Sequence, residues 1–249
     1  MSSSEAAPPL ERIPQHIVLI PDGNGRWATD KGLPVAEGHR RGAEAVKAFL
    51  RVCRDWNVPY ATVWGFSTEN WERSGLEVKA IMHIIEVSLR RNRRNFKRDG
   101  IRFHHLGRRD RIAERYPRLS KLMADLEAET RQNRPFTLNL ALDYGGRDEV
   151  VRAVKRLLSE GGDPAGIRWE HLATHLDTAG QPDPDLIIRS SGEHRLSGIL
   201  PLQGAYAEIV FVPHFLPALQ ESDFRDAIRE FGSRQRRFGR RPIELGEEP

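Results

Sequence analysis

Cysteine is nearly missing from this sequence. Cys53 is the only one among 249 residues, which excludes an internal disulfide and any zinc or iron–sulfur site built from several cysteines. A reducing compartment such as the cytoplasm is therefore expected. Because Cys53 lies among apolar residues in a helical pattern, we predict that its thiol packs in the core.

Long apolar runs are missing as well. No stretch approaches the ~18 apolar residues of a membrane-spanning helix, and the first residues carry neither the basic region nor the apolar run of a secretory signal. The chain has 39% hydrophobic and 30% charged residues, with 39 Lys+Arg against 35 Asp+Glu and a net charge of +4. This composition is typical of a mildly basic, soluble globular protein.

Several catalytic signatures are also absent. There is no Gly-x-x-x-x-Gly-Lys-Ser/Thr loop of a P-loop nucleotide hydrolase and no Gly-x-Ser-x-Gly elbow of an α/β-hydrolase. His104 and His105 lack the His-Glu-x-x-His context of a zinc enzyme, so we predict that they point to opposite faces of a strand. The chemistry must therefore be sought in other segments.

What is present is an alternation of short apolar runs with longer helical patterns. It predicts a single α/β domain, in which a mostly parallel six-stranded sheet is flanked by helices. Strands are expected over residues 16–20, 60–66, 101–106, 136–142, 185–189 and 206–212. Helices are expected near residues 38–54, 76–97, 118–131, 147–159 and 222–238. Residues 1–14 and 242–249 are predicted to be flexible tails of a domain that spans residues 15–241.

Charged, glycine and hydroxyl residues follow four of the predicted strands. In an open parallel sheet, ligands bind beyond the carboxyl ends of the strands, so these turns are the first candidates for a site. They are the segments 21–28, 67–73, 143–147 and 189–197. Their composition favours a site for a polyanion.

The first turn combines an acid, two glycines and an arginine. Gly23 and Gly25 allow positive φ angles and a close approach of backbone amides to a phosphate, and Arg26 adds a forked donor. Asp22, at the strand end, is placed to hold Mg²⁺ together with substrate phosphates. A tight turn with Asp22 as a capping residue is the alternative, and these residues alone leave it open.

A second anion clamp is indicated by Arg189, Arg195 and Ser197, although surface charge beside an ordinary hydroxyl would give the same pattern. Glu208 lies inside an apolar run. It is expected to need a partner, either a metal or an arginine, because an unpaired buried carboxylate is costly. Two anion sites and two acids suggest chemistry between two phosphorylated substrates.

Taken in order, these segments resemble the cis-prenyltransferases, the undecaprenyl diphosphate synthase family. The resemblance covers residues 14–240 and is carried by DGNGRWA from Asp22, GH from Gly38, FSTENW from Phe66, DYGGR from Asp143, DLIIR from Asp185, GEHRLS from Gly192 and AYAE from Ala205. It implies an α/β fold with an apolar tunnel. It also implies an enzyme that condenses isopentenyl diphosphate with dimethylallyl, geranyl or farnesyl diphosphate to give a (Z)-polyprenyl diphosphate, with Mg²⁺ as cofactor. The trans-type prenyltransferases carry an Asp-Asp-x-x-Asp motif, which this chain lacks.

The resemblance assigns roles to individual residues. Asp22 and Asn70 would be catalytic, with Asn70 acting by position because a neutral amide is a poor base. Asp22 and Glu208 would bind the metal. The allylic diphosphate would be bound by Gly23, Asn24, Gly25, Arg26, Trp27 and His39. Isopentenyl diphosphate would be bound by Arg189, Arg195, Leu196 and Ser197. The substrate loop would be completed by Ser67, Thr68, Glu69, Trp71 and Arg73.

Two positions bear on the length of the product. Val35 stands where the family usually has an arginine that contacts the allylic diphosphate. By resemblance, the tunnel is walled by residues 45–52, 78–89 and 136–142, and Phe136 falls near its floor, where long-chain members often carry a smaller aliphatic residue. Together these two positions favour a short or medium product over an undecaprenyl chain.

The resemblance further implies a homodimer, in which residues 236–239 approach the partner's active site. A cytoplasmic enzyme is expected, with peripheral contact at the inner face of the membrane through the prenyl product left open, and with no nucleic-acid partner. Two alternatives remain. One is a non-catalytic prenyltransferase-like regulatory subunit, and the other is a nucleic-acid-binding protein, suggested by basic clusters at residues 90–98 and 234–241.

Overall fold

The computed structural model describes residues 12–234. Six strands form one sheet in which every neighbouring pair is parallel. The strands are β1 (His16–Ile20), β2 (Tyr60–Ser67), β3 (Ile101–Leu106), β4 (Phe136–Tyr144), β5 (Leu186–Arg189) and β6 (Glu208–Phe211). The six predicted strands are confirmed, with ends that differ by at most two residues, and the sheet is wholly rather than mostly parallel.

Helices connect the strands and cover the sheet. They are α1 (Asn24–Asp30), α2 (Val35–Asp55), α3 (Gly75–Arg98), α4 (Arg109–Arg115), α5 (Pro117–Thr130), α6 (Gly146–Ser159), α7 (Trp169–Ala173) and α8 (Glu221–Ser233). The sequence did not predict the short helices α1, α4 and α7. The end of the predicted last helix and the predicted tails, apart from residues 12–14, lie outside the described residues. No helix within residues 12–234 is long and apolar enough to cross a bilayer.

Helix α3 shows how the local sequence sets the ends of an element. The hydroxyl of Ser74, just before the helix, accepts the backbone N–H of Glu77 at 3.3 Å, which caps an otherwise unpaired donor. Lys97 and Arg98 lie in the last turn, where positive charge is favourable beside the exposed carbonyl groups. The helix therefore begins and ends where its own side chains satisfy its termini.

Side chains of the central strand β1 alternate between two cores. Ile17 and Leu19 pack in the larger core, beneath α2, α3, α5 and α8, while Val18 and Ile20 pack in a smaller core on the opposite face. All four are buried, which is typical of a parallel strand covered on both faces. Cys53 is buried in the larger core, as predicted.

The strand order is β3-β4-β2-β1-β5-β6. The chain moves from β1 to β2 on one side, but β5 lies on the other side of β1. Connections that leave the neighbouring strands β1 and β5 therefore run in opposite directions and open a crevice at the carboxyl ends of these strands. The turns after β1, β2 and β5 meet at this crevice.

Candidate active site

A polar pocket of about 530 Å³ lies at this crevice. The predicted site residues among its lining are Asp22, Gly23, Asn24, Gly25, Arg26, His39, Ser67, Glu69, Asn70, Arg73, Arg189, Arg195 and Ser197. The structure thus brings together residues that are separated by more than a hundred positions in the chain. Trp27, Thr68, Trp71 and Leu196 belong to the same turns but do not line the pocket.

Asp22 is the acid at the centre of the pocket. Its Oδ2 accepts Arg189 Nη2 at 2.8 Å, and its Oδ1 accepts the backbone N–H of Gly23 at 2.7 Å and Arg26 Nη2 at 3.3 Å. Burial alone would raise the pKa of Asp22, but the hydrogen bonds from Arg189 and Gly23 outweigh it and lower that pKa. Asp22 is therefore a carboxylate anion held between two arginines.

Arg189 links the two halves of the pocket. Its side chain is 4% exposed, and its Nη1 donates to Ser197 Oγ at 2.9 Å and to the backbone carbonyl of Arg195. The guanidinium thus ties the segment after β5 to Asp22 at the end of β1. Its Nε is buried without a hydrogen-bond partner among residues 12–234.

Glu193 bridges the two more exposed arginines. Arg26 Nη1 donates to Glu193 Oε1 at 2.7 Å, and Arg195 donates to the other carboxylate oxygen. Arg26 Nη2 also donates to Ser191 Oγ at 2.6 Å. The sequence did not predict Glu193 or Ser191 as site residues, although both lie in the candidate turn after the fifth strand.

Glycine is required at two positions around the first turn. Gly23 has a φ of +93°, and a Cβ there would lie 2.6 Å from Phe215 Cδ1, so both backbone conformation and space exclude a side chain. A Cβ at Gly42 on α2 would lie 2.1 Å from Asn24 Oδ1. The close approach of α2 therefore holds the Asn24 side chain in place, and its Oδ1 has no hydrogen-bond partner among the described residues.

In the turn after β2, Asn70 faces the pocket, whereas Trp71 is anchored behind it. Asn70 lines the pocket, and its Oδ1 accepts the backbone N–H of Ser67 at 3.1 Å. Trp71 instead donates its Nε1–H to Asp143 at 2.8 Å and packs edge-to-face on Phe66, with the ring centroids 5.0 Å apart. Asn70 is thus positioned by its own turn, whereas Trp71 fixes the loop.

The turn after β4 does not join the pocket. Asp143 is fully buried, and besides Trp71 it accepts Arg111 Nε at 2.7 Å. Asp143 and Tyr144, expected in a turn that contributes to a polyanion site, are the last two residues of β4. Asp143 instead supports the loop after β2 through its hydrogen bond from Trp71.

His39 and Arg73 converge on Glu77, an acid that the sequence did not predict as a site residue. Glu77 Oε1 lies 3.3 Å from His39 Nε2 and accepts Arg73 Nη1 at 2.8 Å. Burial lowers the pKa of His39, although Glu77 opposes this effect, so the neutral ring donates its Nε2–H to Glu77 at pH 7. The spacing offered a signal, since Glu77 lies one helical turn after Arg73.

Glu208 is not brought to Asp22 within one chain. It is the first residue of β6. The amino ends of the parallel strands lie at the end of the sheet opposite the pocket, which is at their carboxyl ends. There it accepts Arg12 Nη2 at 3.2 Å and Arg234 Nη1 at 3.0 Å. Its partners are thus arginines, and residues 12–234 contain no group of three or more His, Cys, Asp or Glu that could hold a metal.

An apolar cavity of about 340 Å³ adjoins the polar pocket. Both are lined by Pro21, Asn24, His39, Gly65 and Ile81. The cavity runs between α2 and α3 along the sheet to Ile101 and Phe136, at the amino ends of β3 and β4. The cavity therefore extends from the pocket, at the carboxyl ends of the strands, to the amino ends of β3 and β4.

Comparisons with known proteins agree with this geometry. A family model described as "Putative undecaprenyl diphosphate synthase" matches residues 20–239. Isoprenyl transferase 2 of Bradyrhizobium diazoefficiens is 42% identical over 246 residues, which cover 95% of this chain and 96% of that protein. The isoprenyl transferase of Aquifex aeolicus is 38% identical over 229 residues, covering 92% of this chain and 97% of that protein.

Solved structures show the same fold. Lavandulyl diphosphate synthase from Lavandula x intermedia, crystallised with dimethylallyl diphosphate, matches with a TM-score of 0.84 at 30% identity, over 92% of this chain and 99% of that chain. A probable undecaprenyl diphosphate synthase from Campylobacter jejuni matches with a TM-score of 0.76 at 27% identity, over 92% and 100% of the two chains. These similarities favour an enzyme over the regulatory-subunit and nucleic-acid-binding alternatives. The chain belongs to the undecaprenyl diphosphate synthase family, and it is a cis-prenyltransferase.

Proposed function

We propose that the enzyme condenses isopentenyl diphosphate with dimethylallyl, geranyl or farnesyl diphosphate to give a (Z)-polyprenyl diphosphate, in a Mg²⁺-dependent reaction. The observation that carries the proposal is the shared lining of the arginine-rich pocket and the apolar cavity. A molecule that fills both needs an anionic head and a hydrocarbon tail. Prenyl diphosphates have this form.

The two diphosphates are assigned to the two sides of the pocket. Asn24 and His39 line both the pocket and the cavity, so the allylic diphosphate, which carries the tail, is placed beside them and Arg26. Isopentenyl diphosphate is placed at Arg195 and Ser197, which line the pocket but not the cavity. Arg189 Nε, which has no hydrogen-bond partner within residues 12–234, can donate to a phosphate oxygen.

The chemical step breaks the allylic carbon–oxygen bond while negative charge grows on the leaving diphosphate. Fixed donors aimed at that charge are the expected source of rate, and Arg26 and Arg189 are held in place by Asp22. The isopentenyl double bond forms the new carbon–carbon bond, and a proton then leaves for a phosphate oxygen or a carboxylate. Asn70 contributes position, because the Ser67 amide already occupies its Oδ1.

Mg²⁺ fits this site with Asp22 as its protein ligand. The carboxylate is ionised and borders the space assigned to the diphosphates, and Mg²⁺ is usually held by one or two carboxylates plus substrate phosphates. Glu208 lies at the amino end of its strand, opposite the pocket, so it does not fit as a second ligand within one chain. When bound, Mg²⁺ would neutralise charge on the diphosphates.

The test is product analysis with isopentenyl diphosphate, Mg²⁺ and each of the three allylic primers. Mass spectrometry is expected to show products that grow by isoprene units, and NMR is expected to show cis geometry at each new double bond. Chelation of the metal should stop the reaction, and added Mg²⁺ should restore it. New double bonds that are all trans, or no condensation with any primer, would contradict the proposal.

The homodimer is a further part of the proposal. Within residues 12–234, β6 is an edge strand, and Leu202 and Tyr206 near it are 39% and 76% exposed. Exposed apolar surface beside an edge strand is typical of an interface. Light scattering should show a dimer, and truncation before Ser233, which removes residues 236–239, should abolish activity. A fully active monomer would exclude this assembly.

The cytoplasmic location stays a prediction.

A further inference from the structure

Two residues in the segment after β5 have an unfavourable backbone conformation. Ser197 and Leu200 have φ angles of +54° and +40°, in the left-handed region that residues with a side chain avoid. Ser197 lines the pocket, and Leu200 is fully buried. Such a conformation persists only when the surrounding structure enforces it. We call residues 195–203 the clamp segment, because its Arg195 carbonyl and Ser197 hydroxyl both accept Arg189 Nη1.

Gln203 links the end of the clamp segment to a buried acid. Its Nε2 donates to Glu149 Oε2 at 3.1 Å and to Thr178 Oγ1 at 3.2 Å. Both Gln203 and Glu149 are closed to solvent, at 3% and 0% exposed. Glu149 lies in the first turn of α6, so these hydrogen bonds join the clamp segment to the helix that follows β4.

Glu149 is itself fixed by donors from two other segments. The hydroxyl of Tyr144, which is fully buried at the end of β4, donates to Glu149 Oε2. The backbone N–H of Asp177 donates to Glu149 Oε1 at 2.8 Å. Both carboxyl oxygens are therefore satisfied away from water, and a fully satisfied buried network holds one geometry. The clamp segment is thus attached to a rigid part of the fold.

A second contact brings the middle of the clamp segment against α6. The backbone N–H of Gly146 donates to the Gly198 carbonyl at 2.9 Å. A Cβ at Gly146 would lie 2.2 Å from Pro201 Cδ and 2.6 Å from the Gly198 oxygen, so only glycine allows this approach. Contacts on both sides of Leu200 therefore enforce the backbone that presents Ser197 to the pocket.

We propose that Tyr144, Glu149 and Gln203 are positioning residues for the diphosphate of isopentenyl diphosphate. Of residues 12–234, those that line the pocket include none of the three, so they act through the clamp segment, which holds Ser197 and Arg189. The proposal rests on the proposed function, which assigns isopentenyl diphosphate to this side of the pocket. A purely structural role would lower stability without favouring one substrate over the other, and this difference can be measured.

The test variant is Gln203→Met, which keeps the length of the side chain and removes its amide. Gln181→Met is the matched control, because Gln181 exchanges hydrogen bonds with buried Asn139 at 2.7 Å and 3.2 Å but lies outside the clamp segment and the pocket lining. In steady-state kinetics of the full-length enzyme, Gln203→Met should raise KM for isopentenyl diphosphate about tenfold. KM for the allylic primer and kcat should stay within about twofold of wild type, and Gln181→Met should change none of these constants.

A double-mutant cycle with Ser197→Ala tests whether the effect passes through the clamp segment. Gln203→Met and Ser197→Ala should be non-additive, because the two substitutions disturb the same hydroxyl. Additive effects, an unchanged KM for isopentenyl diphosphate, or equal changes in Gln203→Met and Gln181→Met would overturn the proposal.

Tyr144→Phe provides a second variant if Gln203→Met fails to fold, since it removes one hydroxyl and keeps the ring in the core. Thr62→Val is its control, because Thr62 also has a buried hydroxyl, which accepts Asn139 Nδ2 at 3.0 Å. Tyr144→Phe should raise KM for isopentenyl diphosphate in the same way, and Thr62→Val should not. Equal KM values in these two variants would overturn the proposal.

Failure of the proposed function gives a different result. If wild type forms no prenyl product, calorimetry with inorganic pyrophosphate still compares the variants at the clamp segment, where Ser197→Ala marks binding by weakening it. An affinity about tenfold lower in Gln203→Met than in Gln181→Met would support the positioning role without the reaction. Equal affinities, or an affinity that Ser197→Ala leaves unchanged, would overturn it.

Discussion

Arg189 Nη2 lies 2.8 Å from Asp22 Oδ2, in an ion pair that joins the ends of β5 and β1. The Arg189 side chain is nearly inaccessible to solvent, so it depends on Asp22 to offset the loss of its hydration. Asp22 therefore has two functions, as the candidate metal ligand and as the partner of a buried cation. Two substitutions separate these functions.

Asp22→Asn removes the anionic ligand but keeps a carbonyl oxygen for Arg189, whereas Asp22→Ala removes both. We expect each variant to lose turnover by about a hundredfold or more. Only the alanine variant should lose about 1–3 kcal/mol of unfolding free energy. Steady-state rates at saturating Mg²⁺ and urea unfolding measure the two effects. Near wild-type turnover of Asp22→Asn would exclude Asp22 as the essential ligand.

Glu193 places a carboxylate between Arg26 and Arg195, where a diphosphate must bind. Glu193→Gln removes this competing anion, and we expect inorganic pyrophosphate to bind about twofold to fivefold more tightly, as measured by calorimetry. Glu37→Gln is the matched control, because Glu37 also bridges two arginines, Arg40 and Arg41, outside the pocket. Weaker binding by Glu193→Gln would show that Glu193 orients the arginines instead of competing for them.

Two buried histidines make the fold sensitive to mild acid. The Nδ1–H of His16 donates to the carbonyl of Pro182 at 2.8 Å, and its Nε2 accepts the hydroxyl of Thr62 at 2.7 Å. The Nε2–H of His105 donates to the carbonyl of Leu142 at 2.9 Å. Burial lowers the pKa of each ring to about 4, so both rings are neutral in the folded protein at pH 7.

Below pH 6.5 the unfolded chain binds protons that the folded chain does not, so stability must fall as the pH is lowered towards 4. The expected loss is about 1.4 kcal/mol per pH unit for each histidine. In His105→Gln, an amide can replace the ring as the donor without titrating. Between pH 7 and 5, the unfolding free energy of this variant, measured in urea, should fall less steeply with pH than that of wild type. The expected difference is about 1.4 kcal/mol per pH unit. Equal slopes would mean that His105 is not kept neutral by folding.

Phe136 lines the end of the apolar cavity farthest from the pocket. A phenyl ring there takes up space that about one isoprene unit could use, and a packed interior does not yield easily, since overpacking costs ~1–3 kcal/mol. With farnesyl diphosphate as primer, Phe136→Ala should lengthen the main product by about one isoprene unit, as measured by mass spectrometry.

Phe224 provides the control, because it is fully buried but lies outside the cavity lining. Phe224→Ala should lower stability without changing product length, and Phe136→Leu paired with Phe224→Leu gives a milder comparison if either alanine variant fails to fold. An undecaprenyl product from wild type would rule out the predicted preference for shorter chains. An unchanged product from Phe136→Ala would rule out Phe136 as the floor of the tunnel.

Much of the fold could be predicted because its signals are local. The apolar run His16–Ile20 indicates a strand buried on both faces, and each later strand is similarly separated from the next by a helical pattern. The first turn could also be interpreted locally, since Gly23 has the positive φ that its glycine suggested. Helix α1 was missed because its seven residues are too few to show a helical period.

The sequence by itself determined one α/β domain, the chemistry of its turns and the family to which the chain belongs. The tertiary structure decided which turns meet, and these are the turns after β1, β2 and β5. Asp143 is paired behind the pocket, and Glu208 lies at the amino end of its strand, on the side opposite the pocket. It also placed Glu193 between two arginines and joined the apolar cavity to the polar pocket. The physical reason is that residue patterns report on the conformation of neighbouring residues, whereas strand order and direction, set by long-range packing, decide which distant side chains face each other.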